Sequence, residues 1–379
     1  MKETTPRLAV FLPALYGGGA ERTMLNLAQG LAARGHAVDL LLARAEGPYL
    51  EQVSRSLRVI ELNTSRMRAR QTLGSIPGLV HYLRRERPHA MVSAMFANLI
   101  AIWGRVLARA PTRLVVVEQN TFSRSAQEYP RWYARTMRRL MRRFYPCATR
   151  VVAVSCGVAD DLARAIPMER AAIQVIYNPV LTPELRSKAS LPARHPWFAS
   201  HHSPVILAAG RLAPQKDYPT LLQAFAQVRQ ERSARLLILG EGPDRPVLER
   251  MAEGLGLDGD FQLPGFVDNP YPLMAGAAAF ALSSRWEGLP TVLIEAMYCG
   301  APVVATDCPS GPREILHDGE YGALVGVGDT AALARALVAA LDGHRAPPPA
   351  ESWLPYDSET VLNQYSDLLM EGACAKRCV

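Results

Sequence analysis

The stretch Ser283-Ser-Arg-Trp-Glu287-Gly-Leu-Pro-Thr291-Val-Leu-Ile-Glu295-Ala-Met297 carries the densest chemistry in the chain. Polar residues, Gly288 and Pro290 follow an apolar run, and Thr291 opens a helical pattern that contains Glu295. Backbone N–H groups at such an opening bind phosphate. Ionised Glu287 and Glu295 can only accept hydrogen bonds, which suits the hydroxyls of a sugar or a ribose. A plainer reading is a helix stabilised by acids near its N-terminus. Upstream, Gly210-Arg211-Leu-Ala-Pro-Gln-Lys216-Asp217 sets two cations five residues apart in the loop after another apolar run. Arg can hold two phosphate oxygens in its fork, and Lys adds a point charge beside them. The chain has 38 Arg but only four Lys, and no other Lys falls between Lys188 and Lys376. That favours a specific use of Lys216 over a solvated loop cation. A third feature, Gly17-Gly18-Gly19, lets backbone approach a ligand closely or simply makes a tight turn. It is not Gly-x-Gly-x-x-Gly and no Gly-Lys-Ser/Thr follows, which disfavours dinucleotide and P-loop readings.

These residues need a scaffold that brings loops together. Leu8–Leu15 reads as a buried strand, Ala20–Ala33 as a helix closing at Gly35, and Ala37–Leu42 as a second strand. Strand, helix and strand at this spacing make a βαβ unit and imply a parallel sheet. Leu57–Leu62, Ala90–Ala94, Leu114–Glu118 and Arg150–Ser155 continue the series. A Pro-, Ser- and Ala-rich stretch from Pro179 to about His202 reads as a linker. Val205–Gly210 then restarts the pattern, followed by Leu236–Gly240, Phe261–Leu263, Ala278–Ser283 and Val303–Thr306. The expected architecture is α/β, with a first doubly wound domain over residues 1–182 and a second over 196–350. A final amphipathic helix at 358–371 is expected to pack back on the first.

The 379 residues exceed one ordinary core and carry a net charge of +7, but that average hides an asymmetry. The first 180 residues carry a net +14 and the remainder −7, which points to an anionic partner for the first half. No run approaches the ~18 apolar residues of a spanning helix, so a cytoplasmic chain, peripheral at most on the inner face of the membrane, is expected. The six Cys are scattered, without a Cys-x-x-Cys pair. Arg135, Arg138, Arg139, Arg142 and Arg143 interleave with Met137, Leu140, Met141 and Phe144, giving a basic amphipathic helix suited to anionic headgroups. The other reading is an ordinary solvated helix face. A nucleic-acid binder without catalysis would also explain the charge, but no motif or aromatic-rich basic surface supports it.

Glu287 and Glu295 together resemble the Glu-x7-Glu signature of retaining glycosyltransferase family 4, whose fold is GT-B: two Rossmann-like domains facing a central cleft. Val154-Ser155, Ile176-Tyr-Asn178-Pro179, Gly240-Glu241-Gly242 and Gly265-Phe-Val-Asp-Asn269 match the family's pattern in order. The resemblance implies a UDP-sugar donor and no metal or other cofactor. Arg211 and Lys216 would neutralise the diphosphate beside Gly210, with the Gly17–Gly18 backbone approaching it. Glu295 would accept from ribose hydroxyls. Glu287 with the N–H groups of Gly288 and Leu289 would hold the transferred sugar, next to Pro290. Thr291 would touch a phosphate oxygen, Phe266 and Val267 would flank the base, and Glu241 and Asn178 would belong to the donor site. The sugar is expected to be a hexose or N-acetylhexosamine.

One position departs from the family. Val117-Glu118-Gln119-Asn120 places Gln119 where members carry a His near the reaction centre, and Gln cannot take up charge at physiological pH. The resemblance extends to members that lengthen lipid diphosphate-linked glycans. It puts Arg66, Arg68 and Arg70 at the acceptor's diphosphate and Arg138, Arg139 and Arg142 toward an anionic membrane. A soluble or cell-wall acceptor is the rival within the same chemistry, and no nucleic acid is expected.

Overall fold

The computed structural model describes residues 6–62, 73–199, 203–343 and 349–371. Arg66, Arg68 and Arg70 lie outside the described residues. The chain divides into two compact units, Met1–Pro179 with Asp357–Val379, and Val180–Tyr356.

The first unit is built on β1 (Arg7–Leu12), β2 (Ala37–Leu42), β3 (Arg58–Glu61), β4 (Ala90–Ala94), β5 (Arg113–Glu118), β6 (Arg150–Ala153) and β7 (Ile173–Val175). Their order is β3-β2-β1-β4-β5-β6-β7, with all pairs parallel. The inner strands β1, β2, β4, β5 and β6 are near-continuous apolar, buried runs, as in sheets covered by helices on both faces, whereas the edge strand β3 is largely exposed. The helix Ser358–Met370 packs on the helix Gly19–Ala33, where Leu362 fills the space a Cβ on Gly30 would need, 2.5 Å from its Cδ1. Arg113, only 4% exposed, clamps the end of that last helix by donating to Leu368 O (2.9 Å), Glu371 O (3.1 Å) and the Glu371 carboxylate (2.8 Å).

The second unit holds β8 (Val205–Ala209), β9 (Arg235–Leu239), β10 (Phe261–Gly265), β11 (Ala279–Leu282), β12 (Val303–Thr306) and β13 (Ala323–Val325), in the order β10-β9-β8-β11-β12-β13 and again parallel. Phe225, Leu221, Leu236, Ile238, Leu333 and Leu337 are fully buried in its core. In each sheet the strand order reverses once, between β1 and β4 and between β8 and β11. Loops leaving the carboxyl ends of strands at such a switch point are where open α/β sheets bind ligands. The Gly17 loop follows β1, the Gly210–Lys216 loop follows β8, and the Ser283–Pro290 loop follows β11.

Candidate active site

In the second unit the two loops at the switch point interlock. Gly210 (φ +155°) ends β8, and Pro214–Lys216 makes one 3-10 turn before the helix Tyr218–Glu231. The backbone N–H of Arg285 donates to Gln215 O (2.8 Å), and the Arg285 guanidinium donates to Asp217 Oδ1 (3.1 Å). Ser283 Oγ donates to Lys216 O (2.7 Å). Lys216 and Glu287 are thereby brought together across 71 residues of sequence, with Nζ donating to Oε1 at 2.6 Å. Their side chains are only 15% and 8% exposed. Glu287 also accepts from Ser284 Oγ (2.6 Å) and Gln215 Nε2 (3.3 Å). The loop after β12 braces the same turn, since the Glu287 N–H donates to Pro309 O (3.2 Å) and Ser310 Oγ to Gly288 O (2.8 Å).

Beyond this turn Gly288, Leu289 and Pro290 are buried, and Thr291 opens the helix Thr291–Tyr298. Glu295 is buried one turn in, and the Tyr271 hydroxyl lies 3.5 Å from its Oε1. Arg211 is exposed and has no ion-pair partner among the described residues. Glu241, by contrast, has its carboxylate engaged by Arg245 at 3.0 and 2.7 Å. Phe266 is exposed and Val267 half-buried after β10. Asp258-Gly-Asp260 precedes β10, at the amino ends of the strands, and Asp260 pairs there with Arg229 (2.5 Å). No group of three His, Cys, Asp or Glu among the described residues could hold a metal ion.

In the first unit Gly17 takes φ +99° and its carbonyl accepts from the Tyr49 hydroxyl (3.0 Å). Gly18 caps the helix Gly19–Ala33 through backbone alone, without a side-chain hydrogen bond. Gln119, just past β5, and buried Asn178 form an amide pair. Asn178 Nδ2 donates to Gln119 Oε1 (2.9 Å), and Gln119 Nε2 lies 3.3 Å from Asn178 Oδ1. The pair satisfies one donor and one acceptor of Gln119 and fixes its plane.

Beneath it lies a second network. Ser93 Oγ donates to Asn98 Oδ1 (2.9 Å), Asn98 Nδ2 donates to Val117 O and to Glu118 Oε1 (both 3.0 Å), and the Tyr145 hydroxyl donates to the same Oε1. Loss of solvent raises the Glu118 carboxyl to about 7, assisted by the nearby Asp161 charge and opposed by the two donors. Between its ordinary value of 4.5 and 7 the folded chain therefore binds more protons than the unfolded one, and stability falls as pH rises through that window. Glu118→Gln keeps the acceptor for both donors and removes the ionisation. It should raise stability at pH 8 by about 2–3 kcal/mol and flatten the slope between pH 5 and 7. Urea unfolding at several pH values checks this; parallel pH profiles for variant and wild type would refute it.

Two family models match the chain in succession: Glycosyltransferase Family 4 over residues 17–182, and Glycosyl transferases group 1 over residues 203–343. The chain belongs to the family 4 glycosyltransferases.

It is a transferase of glycan biosynthesis with two parallel-sheet Rossmann-like domains, the GT-B fold. Among its relatives, the N-acetylgalactosamine-N,N'-diacetylbacillosaminyl-diphospho-undecaprenol 4-alpha-N-acetylgalactosaminyltransferase of Campylobacter jejuni is 27% identical over 336 residues, 85% of this chain and 86% of that protein. A second Campylobacter jejuni enzyme, GalNAc-alpha-(1->4)-GalNAc-alpha-(1->3)-diNAcBac-PP-undecaprenol alpha-1,4-N-acetyl-D-galactosaminyltransferase, is 25% identical over 87% of this chain and 88% of its own length. Anabaena HepE, crystallised with UDP and glucose, superposes with a TM-score of 0.79 at 21% identity, covering 96% of this chain and 99% of its own.

In this glycosyltransferase several residues outside the motifs also shape the site. Ser284 and Gln215 hold Glu287, Tyr271 approaches Glu295, and Asn98 with Tyr145 ties down the end of β5. Ser284, three residues before Glu287 on a turn, was within reach of local reasoning; the others come from distant segments. The helix Arg131–Phe144 turns Met141 inward and sets Phe144 edge-on to Trp103 (5.7 Å). Its other face exposes Arg131, Arg135, Arg138, Arg139, Arg142 and Arg143, none ion-paired among the described residues, beside Trp132 at 69% exposure. No helix among the described residues is long and apolar enough to cross a membrane.

Proposed function

We propose that the enzyme moves a hexose or N-acetylhexosamine from a UDP-sugar to a lipid diphosphate-linked glycan, with retention of anomeric configuration. The observation that carries this reading is the constellation at the β8/β11 switch point. Lys216 pairs with Glu287 there, Arg211 lies exposed on the same loop as Lys216, and Glu295 is buried one turn into the helix Thr291–Tyr298 that follows Glu287. Arg211, Lys216 and Thr291 take the diphosphate, Glu295 the ribose hydroxyls, and Glu287 the hydroxyls of the sugar. The bond from the anomeric carbon to the phosphate oxygen breaks as the acceptor oxygen attacks from the same face, and the acceptor's proton passes to the departing phosphate. Charge develops on that diphosphate, where fixed cations lower the barrier, so Arg211 and Lys216 serve in place of a divalent metal.

The UDP found with HepE and the undecaprenol-linked acceptors named for the Campylobacter relatives support donor and acceptor classes. Incubation with UDP-N-acetylgalactosamine or UDP-glucose and an undecaprenyl diphosphate-linked saccharide should yield an α-linked product by NMR, undiminished in EDTA. A β-linked product would overturn retention, and loss of turnover in EDTA the metal-free mechanism.

The acceptor reading places the enzyme on the cytoplasmic membrane face, and the unpaired arginines around Trp132 support it. Each basic residue near an anionic surface contributes about 1 kcal/mol. Replacing Arg138, Arg139 and Arg142 together with Ala should therefore weaken binding to phosphatidylglycerol vesicles about 100-fold. Equal co-sedimentation of variant and wild type would refute the assignment.

A further inference from the structure

The Lys216–Glu287 pair raises a difficulty for donor binding that the site itself resolves. With one of its three N–H groups donating at 2.6 Å to a buried carboxylate, Lys216 has its charge largely neutralised by Glu287 and attracts a diphosphate fully only by leaving that partner. If the ammonium turns to the diphosphate, Glu287 keeps Ser284 Oγ and Gln215 Nε2 as neutral donors but loses its cation. A buried carboxylate stripped of its counter-charge is strongly unfavourable unless new donors arrive. The hydroxyls of a transferred sugar are such donors. A nucleoside diphosphate without a sugar brings none.

A second observation marks the same spot as incomplete. The Tyr218 hydroxyl is buried and has no hydrogen-bond partner among the described residues. A Cβ placed on Gly210 would lie 2.9 Å from Lys216 Cε and 3.0 Å from the Tyr218 oxygen, so the lysine stem and the phenol share one small space. Unpaired buried hydroxyls are costly. This one lies within electrostatic range of Glu287, and outward movement of Lys216 uncovers it.

We infer that Glu287 is an internal counter-anion that competes with the donor diphosphate for Lys216, making the site discriminate a nucleotide diphospho-sugar from the nucleotide diphosphate left after transfer. Binding of the complete donor exchanges partners: Lys216 passes to the diphosphate and the sugar hydroxyls take over Glu287. Once the sugar has left, Glu287 reclaims Lys216 and the UDP is released. The inference rests on the donor-site reading above and adds to it a specificity role for Glu287 toward a part of the ligand that it does not touch.

The test is calorimetric titration of the full-length enzyme with UDP, which lacks the sugar. A carboxylate that served only the sugar would leave UDP affinity unmoved. The exchange instead predicts that Glu287→Gln binds UDP at least tenfold more tightly than wild type while losing transfer. Adding Lys216→Met to Glu287→Gln should abolish that gain, because the gain is made through the lysine. Thermal unfolding of each variant verifies the fold. UDP affinity in Glu287→Gln equal to or weaker than wild type, or a gain that survives Lys216→Met, would overturn the exchange. No UDP binding by either wild type or Glu287→Gln would instead remove the donor-site reading beneath it.

Discussion

Lys216→Ala should lower kcat by about 10³-fold, the scale on which fixed positive groups act at a departing anion. The same substitution strips Glu287 of its cation, and breaking a buried pair from one side costs about 3–5 kcal/mol. A falling rate alone would therefore not separate chemistry from damage to the fold. The double variant Lys216→Ala with Glu287→Gln separates them. It leaves no orphaned charge, keeps an amide oxygen for Ser284 Oγ, and leaves Gln215 Nε2 its bond to Trp286 O (2.9 Å), so thermal stability should return toward wild type while activity stays lost. Lys216→Ala with more than a tenth of wild-type kcat would exclude the lysine from the leaving-group site. Recovery of stability and rate together in the double variant would mean that the pair is structural only.

Much of the architecture was legible because buried parallel strands announce themselves as short apolar runs ending in loops. The strands that escaped are β7 and β13, three residues each at sheet edges, too short to show a pattern. The run read as Phe261–Leu263 continues through Pro264 to Gly265 as β10, an edge strand with a register irregularity, where a missing N–H is tolerated. The composition of the stretch after Pro179 suits a linker, yet it contains the helices Pro183–Ala189 and Pro196–Ala199. The first has a local signal: Thr182 caps Leu185 N through its Oγ1 (3.4 Å), and Pro183 occupies the first helical position.

The site divides in the same way. Glu287, Glu295, Arg211 and Lys216 could be named because their types are unusual for the loops and the helix opening that carry them. That Lys216 rests on Glu287, and Gln119 on Asn178, could not, since these partners are 71 and 59 residues apart and meet only through the strand order. Pairings of that kind carry no local period or cap. Gln119 is the informative case. Beside the family pattern it looked like a missing titratable group, whereas in the fold it is one half of an amide pair. A neutral side chain is what such a pair requires, because Asn178 offers one donor and one acceptor to it.

Gly240→Ala should cost at least about 3 kcal/mol and abolish UDP binding, the combined result of a strained backbone and an overpacked contact. Gly240 adopts φ +134°, and a Cβ there would lie 2.1 Å from Gly210 O, a backbone atom that cannot rotate aside. The two glycines end adjacent strands, with Gly210 N bonded to Leu239 O (2.9 Å) and Gly240 N to Gly265 O (2.8 Å). Moving them apart shifts the start of the loop that carries Arg211 and Lys216. The next rung depends on the same closeness: Leu212 N donates to Glu241 O (2.9 Å), and a Cβ on Gly242 would fall 2.2 Å from Leu212 O. The Gly240-Glu241-Gly242 motif thus acts through its two glycines, while the Glu241 carboxylate stays with Arg245. Gly254→Ala is the matched control, because a methyl added to that helical glycine would meet no neighbour within 4 Å, and relief of glycine's backbone entropy should leave it neutral or up to about 1 kcal/mol more stable. Urea unfolding and UDP titration of both variants decide the matter: wild-type stability and affinity in Gly240→Ala would show that the β8 and β9 termini need not touch for the site to form.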